Sequence, residues 1–132
     1  GDRIMAIKTV LATTPTSATI SVSGDLTFDN FVDIDIDVDT LGRDETASNP
    51  EVLINQVDYD INAGSGQGAR IERVTEPNPT IILNIASTAG VGTIENQGQE
   101  NLAAEGDKNI RVYIEDGSMI ITLKKVSGFT QN

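Results

Sequence analysis

The stretch Phe31-Val32-Asp33-Ile34-Asp35-Ile36-Asp37-Val38-Asp39 alternates apolar residues with aspartate without interruption. Successive side chains of a β-strand point to opposite faces, so this pattern predicts a strand with one apolar face and one carboxylate face. A helix, with its period of about 3.6 residues, would mix the two kinds of side chain around its circumference. The stretch therefore indicates an all-β protein in which at least one strand lies half in water.

Other parts of the chain alternate in the same way, and clusters of Gly, Pro, Asn and Ser, which are typical of turns, separate them. The segments predicted as strands are residues 4–13, 18–23, 52–61, 70–74 and 81–85. The last of these is apolar on both faces, which predicts a central strand. Residues 97–107 allow one short helix, which two glycines limit. The pattern predicts an antiparallel β-sandwich or a barrel with at most one short helix.

The C-terminal part of the chain contains Asp116-Gly117 between two alternating apolar runs. An Asp-Gly pair in this setting favours a two-residue type I′ turn, in which both central residues have positive φ. The turn predicts a C-terminal hairpin that pairs Ile114 with Met119 and Val112 with Ile121. In that hairpin six apolar side chains share one face, namely Ile110, Val112, Ile114, Met119, Ile121 and Leu123.

The length of the chain corresponds to one domain, residues 1–132, which can bury a core without disulfides or metal. Residues 1–4 are expected to be either a vector-derived remnant ahead of Met5 or a flexible N-terminus. The chain contains no Cys, no His and no Trp. Thiolate metal sites, cysteine nucleophiles and Ser-His-Asp triads are therefore excluded. We predict a protein that is not an enzyme and has no cofactor.

The net charge of −11 bears on the partners of the chain. A strongly acidic protein is repelled by the phosphate backbone of nucleic acids and by anionic membrane surfaces, so we predict neither as a partner. The charge is also uneven, because residues 25–60 hold eleven carboxylates against Arg43 alone. Basic residues lie towards the ends of the chain and include Lys124 and Lys125, which become candidate interface residues for copies of the chain or another partner.

The aspartates of the opening stretch are the candidate metal ligands: Asp33, Asp35, Asp37 and Asp39. Side chains at i and i+2 of a strand lie roughly 6.5–7 Å apart, and two carboxylates at that spacing can share a Ca²⁺ ion. The spacing resembles the start of a calcium-binding loop, but Thr40 stands where the turn glycine belongs. We therefore expect a solvated or interface-facing carboxylate surface, with its repulsion compensated by cations, water or lysines of a neighbouring strand or subunit.

The opening Met5-Ala6-Ile7-Lys8-Thr9-Val10-Leu11, the predicted closing hairpin and the abundance of Thr, Ser, Asn, Val and Ile resemble small virion proteins of tailed bacteriophages. Capsid decoration proteins, also called cement proteins, and head-tail components are examples of this class. The resemblance concerns overall character and carries over no functional residue. It implies a non-enzymatic structural protein of the virion that forms homo-oligomers or binds larger virion subunits. The alternative is a calcium- or carbohydrate-binding β-sandwich module of an extracellular surface protein.

Overall fold

The computed structural model describes residues 7–24, 31–36, 38–42, 44, 50–62, 68–74, 77–86, 88–95 and 109–129. The strands in these ranges are β1 Ile7–Thr13, β2 Ser17–Gly24, β3 Phe31–Ile34, β4 Glu51–Ile61, β5 Ala69–Arg73, β6 Thr80–Ile85, β7 Val91–Glu95, β8 Ile110–Ile114 and β9 Gly117–Ser127. The described ranges contain no helix, and hence none long and apolar enough to cross a membrane. The short helix predicted within residues 97–107 lies outside them.

Two antiparallel sheets make up the fold. The five-stranded sheet has the order β1-β2-β9-β4-β7, and the four-stranded sheet has the order β3-β8-β5-β6. Apolar side chains from both sheets form one buried cluster between the two layers, with β2 next to β8 and β1 next to β3. The prediction of an all-β antiparallel fold is confirmed, and the described strands form a sandwich rather than a closed barrel.

In β2 and β4 the buried face of the strand agrees with the face that the alternation of apolar and polar residues predicts. Ala18, Ile20 and Val22 of β2 are fully buried. In β4 the buried positions change from even to odd numbers, because a β-bulge at Asn55 adds one residue relative to β9. A bulge shifts the facing of every residue that follows it. Residues 52–61 therefore bury one continuous face although their sequence alternation changes phase.

The aspartate-rich strand is shorter than predicted. β3 ends at Ile34, and the chain then turns back on itself, so the backbone N–H of Asp39 donates to the carbonyl of Asp35 at 2.8 Å. After the turn the expected facing is reversed, since Asp39 is buried and Val38 is 63% exposed. The prediction of a single strand with four aspartates on one face was wrong. Hydrogen bonds from nearby backbone N–H groups to the aspartate carboxylates compete with the extended conformation.

The predicted C-terminal hairpin is also wrong. β8 pairs with β3 and β5, whereas β9 pairs with β2 and β4, so Ile114 and Met119 lie in different sheets. Gly117 has φ of +140°, but Asp116 lacks the positive φ that a type I′ turn requires. The apolar residues predicted to share one face are nonetheless all buried. They meet across the core from two sheets, an arrangement that satisfies the same alternation.

The predicted central strand within residues 81–85 is β6, which lies at the edge of the four-stranded sheet. Ile81 is 52% exposed, while Ile82 and Ile85 are buried. A register shift opposite Ile71 and Glu72 accounts for this change of facing. An unbroken apolar run therefore does not identify a central strand when a bulge interrupts it.

Candidate functional site

The first candidate metal ligand, Asp33, lies on the outer face of the four-stranded sheet beside Arg111 of β8. The Arg111 Nε and Nη2 atoms donate to the two Asp33 carboxylate oxygens at 2.7 and 3.0 Å. This paired geometry raises the pKa of Arg111 further above its ordinary value, chiefly through the hydrogen bonds to Asp33. Asp33 therefore pairs with a neighbouring strand inside the same chain.

Asp39 is buried in the turn after β3, where it acts as a structural acceptor. Its Oδ2 atom accepts hydrogen bonds from the Lys8 ammonium of β1 and from the Asp35 backbone N–H, both at 2.6 Å. The Asp35 Oδ1 atom in turn accepts from the backbone N–H of Val38 at 3.1 Å. Asp35 and Asp39 thus hold one turn together, and Lys8 of β1 neutralises the charge of Asp39.

The candidate metal set is therefore not one cluster. Asp33 is paired on an outer sheet face and Asp39 is buried beside β1, while Asp37 lies outside the described residues. Within the part of the chain that the structure describes, no three acidic residues are close enough together to hold a metal ion. The sequence left cations, water or lysines of a neighbouring strand or subunit open as the compensating groups. Lys8 of β1 and Arg111 of β8 compensate the charges of Asp39 and Asp33.

The two candidate interface lysines have different environments, because they lie on opposite faces of β9. Lys124 is exposed on the outer face of the five-stranded sheet. Lys125 is buried, and its ammonium donates to the carbonyls of Thr14 and Leu41 at 2.8 Å each. Burial lowers the pKa of Lys125. Lys124 is available to a partner, whereas the charge of Lys125 is used inside the chain.

A stack of aromatic and guanidinium groups covers part of the outer face of the four-stranded sheet. The rings of Phe31 and Tyr113 lie 5.3 Å apart between centroids, with Arg111 4.3 Å above Phe31 and Arg70 4.3 Å above Tyr113. Such contacts stabilise the partly exposed face. Sequence reasoning missed this cluster, because it depends on the pairing of β3, β8 and β5 across long separations in the chain.

An open concavity of about 290 Å³ lies over β4, β7 and β9 on the other outer face. Asp58 at its margin accepts hydrogen bonds from Thr93 Oγ1 at 2.7 Å and from Gln56 Nε2 at 3.0 Å. The Thr93 bond, followed by the Gln56 bond, lowers the pKa of Asp58. The arrangement keeps a carboxylate charged in water, where it can accept hydrogen bonds. The alternation of β4 predicts the outward facing of Asp58, whereas its contact with Thr93 needed the register between β4 and β7.

The edge strand β1 carries exposed apolar side chains. Ile7 and Leu11 are each more than half exposed, and Val10 is 36% exposed. The strand contains one charged residue, Lys8, whose ammonium is directed towards Asp39 and the carbonyl of Asp33. An exposed apolar strand at a sheet edge is a surface suited to binding another protein. Among the described residues we take this edge as the candidate functional surface.

Comparisons with known proteins found no family to which the chain can be assigned. No protein-family model matches it, and no curated protein matches its sequence.

Proposed function

We propose that the chain is a non-enzymatic structural protein that forms contacts within a larger particle, as do the tailed-phage virion proteins that its sequence resembles. The observation that carries this proposal is the exposed apolar edge of β1. The chain has neither His nor Cys, Asp33 and Asp39 form ion pairs, and Asp58 lies on an open surface. These features support a role in binding rather than catalysis.

The proposed partners are other copies of the chain or larger subunits of the virion. A small β domain with few aromatic residues makes weak individual contacts, so repetition on a lattice would supply the high effective concentration that stable attachment needs. The exposed Lys124 adds a positive charge on the outer face of the five-stranded sheet. This charge would assist attachment to an acidic surface, most strongly at low salt.

Co-sedimentation with particles from the source of the protein tests the proposal. Wild-type protein should sediment with the particle, and Leu11→Glu should reduce the bound fraction because it places a charge on the β1 edge. Val91→Glu is the matched control, because Val91 is exposed on the opposite edge strand, β7. Thermal melts establish that both variants fold. A wild-type protein that binds no particle and stays monomeric at high concentration would contradict the proposal.

A further inference from the structure

The outer surface of β4 and β7 carries carboxylates without a matching cation. Asp58 and Asp60 of β4 lie on this surface together with Glu95 of β7. Neither strand contains Lys or Arg, and within the described part of the chain no cation pairs with these three carboxylates. Like charges on neighbouring positions of a sheet repel each other, so this surface favours a partner that supplies positive charge.

Apolar side chains flank the two aspartates of this surface, where the concavity of about 290 Å³ lies. The pairing of the strands places Ile120 of β9 directly opposite Asp58, and Val91 of β7 directly opposite Asp60. Val91 is 77% exposed and Ile120 is 39% exposed, so each carboxylate has an uncovered apolar neighbour. This combination suits a side chain with an apolar stem and a cationic end, because the stem covers the apolar groups while the charge reaches the carboxylates.

The Asp58 carboxylate is held in place before any partner binds. Thr93 Oγ1 and Gln56 Nε2 donate hydrogen bonds to it at 2.7 and 3.0 Å. A carboxylate has about four lone-pair sites, so it can accept further hydrogen bonds beside these. An acceptor that is already ordered loses little side-chain freedom when a partner binds. Asp60, exposed on the same face, adds the second negative charge.

We propose that this concavity receives an arginine side chain of a partner protein. Asp58 and Asp60 are two positions apart on one strand, so their side chains lie roughly 6.5–7 Å apart. A guanidinium group is planar and carries five N–H donors around its rim, so it can meet both carboxylates at once. An ammonium presents its donors from a single atom and bridges two separated carboxylates less well. The net charge of −11 attracts a basic segment over longer distances.

This inference goes beyond the proposed function, because the two surfaces lie at opposite sides of the five-stranded sheet. The concavity adjoins the edge strand β7, whereas contact with a particle is assigned to the edge strand β1. A protein that binds no particle could still bind arginine at the concavity, and a protein without arginine binding could still attach through β1. The two proposals therefore fail separately.

NMR titration with a blocked tripeptide, arginine between two alanines, tests the site. The backbone amide signals of Asp58, Asp60 and Thr93 should shift in a saturable manner, with a dissociation constant on the order of millimolar. The same peptide with citrulline keeps the shape of arginine but lacks its charge, and it should bind about fivefold more weakly or worse. The lysine peptide should also bind more weakly than the arginine peptide. All titrations use one ionic strength, because salt screens exposed charges.

Charge-removing variants locate the binding. Asp60→Asn should raise the dissociation constant of the arginine peptide about threefold or more, and Asp58→Asn combined with it should raise the constant further. Glu51→Gln is the matched control, because it removes the same charge at the other end of β4, and it should change the constant by less than about 1.5-fold. Thermal melts establish that the variants fold.

Three results would overturn the inference. Equal binding of the arginine and citrulline peptides would show that charge does not contribute. An equal loss of affinity in Asp60→Asn and Glu51→Gln would show that only the net charge matters. Equal binding of the lysine peptide would overturn the assignment to arginine.

Discussion

The Lys8 ammonium lies 2.6 Å from a carboxylate oxygen of Asp39, and this ion pair joins the edge of one sheet to the turn beside the other. Asp39 is almost fully buried, so its charge depends on the lysine and on the backbone N–H of Asp35. The same contact directs the only charge of β1 inward. One ion pair thereby stabilises the turn after β3 and leaves an uncharged edge.

Removing the lysine should destabilise the fold. In Lys8→Met the buried Asp39 keeps its backbone hydrogen bond and loses its cation, at an expected cost of about 1–3 kcal/mol in the free energy of unfolding. Urea denaturation measures this change. Combined with Asp39→Asn in a double-mutant cycle, the two substitutions should be strongly non-additive. Additive effects would show that the ion pair contributes little.

Gly117 should tolerate no side chain. It has φ of +140°, and a Cβ atom there would meet the backbone oxygen of Asp60. Gly90 also has positive φ, +68°, but has open space around it. Gly90→Ala should therefore cost about 1–2 kcal/mol for its left-handed conformation, and Gly117→Ala should cost more because of the added clash. Equal losses in denaturant melts would contradict the crowding at Gly117.

The Asp58 carboxylate should lose its lowered pKa when its hydroxyl donor is removed. Thr93→Val deletes the bond that contributes most, so the pKa of Asp58 should rise towards its ordinary value of 3.8. NMR titration of the carboxyl carbon measures the shift, and Thr93→Ser should restore the wild-type value. Because the folded pKa is lowered, the stabilising contribution of Asp58 is present above 3.8 and is lost as the pH falls through the folded pKa.

Lys125 should stabilise the fold through its two carbonyl contacts, so Lys125→Met should cost about 1–3 kcal/mol at neutral pH. Lys124→Met, at an exposed neighbour, is the control and should change stability by about 0.5 kcal/mol or less. Burial lowers the pKa of Lys125 below 10.5. Between the lowered pKa of the folded state and the ordinary value of 10.5, the unfolded chain binds more protons than the folded chain. In that pH range the stability of wild type relative to Lys125→Met should therefore rise with pH. A constant difference across alkaline pH would contradict the lowered pKa.

Calcium should not stabilise the aspartate-rich segment, because Asp33 and Asp39 already pair with Arg111 and Lys8. Thermal melts with millimolar Ca²⁺ and with excess chelator should differ only by a general salt effect. Buffers of equal ionic strength control for that effect. A saturable rise of many degrees, abolished by Asp35→Asn with Asp37→Asn, would contradict this prediction. It would favour the alternative of a calcium-binding module.

Alternation in the sequence predicts much of the core but not how the strands pair. The buried faces of β2, β8 and β9 follow directly from their period of two. The predicted hairpin was wrong because the apolar side chains of β8 and β9 can reach the core equally well whether the two strands lie in one sheet or in two different sheets. Bulges at Asn55 and Ile82 also change the facing of β4 and β6, and short-range patterns do not reveal them.

The candidate site depends still more on tertiary structure. The sequence identified the aspartates of residues 33–39 and the two lysines of β9, Lys124 and Lys125, as the charged groups of interest. It did not identify their partners. Asp39 with Lys8 and Asp33 with Arg111 are 31 and 78 residues apart in the chain. The inward direction of Lys125 likewise needed the positions of Thr14 and Leu41.

The sequence by itself determined an all-β chain, its acidic charge, the absence of His and Cys, and most of the side chains that form the core. These properties follow from residue chemistry and from the period of two along a strand. Only the tertiary structure decided which strands share a sheet, which charges neutralise each other, and that β1 lies at an edge. Those features depend on contacts between distant segments, for which many pairings satisfy the same local pattern.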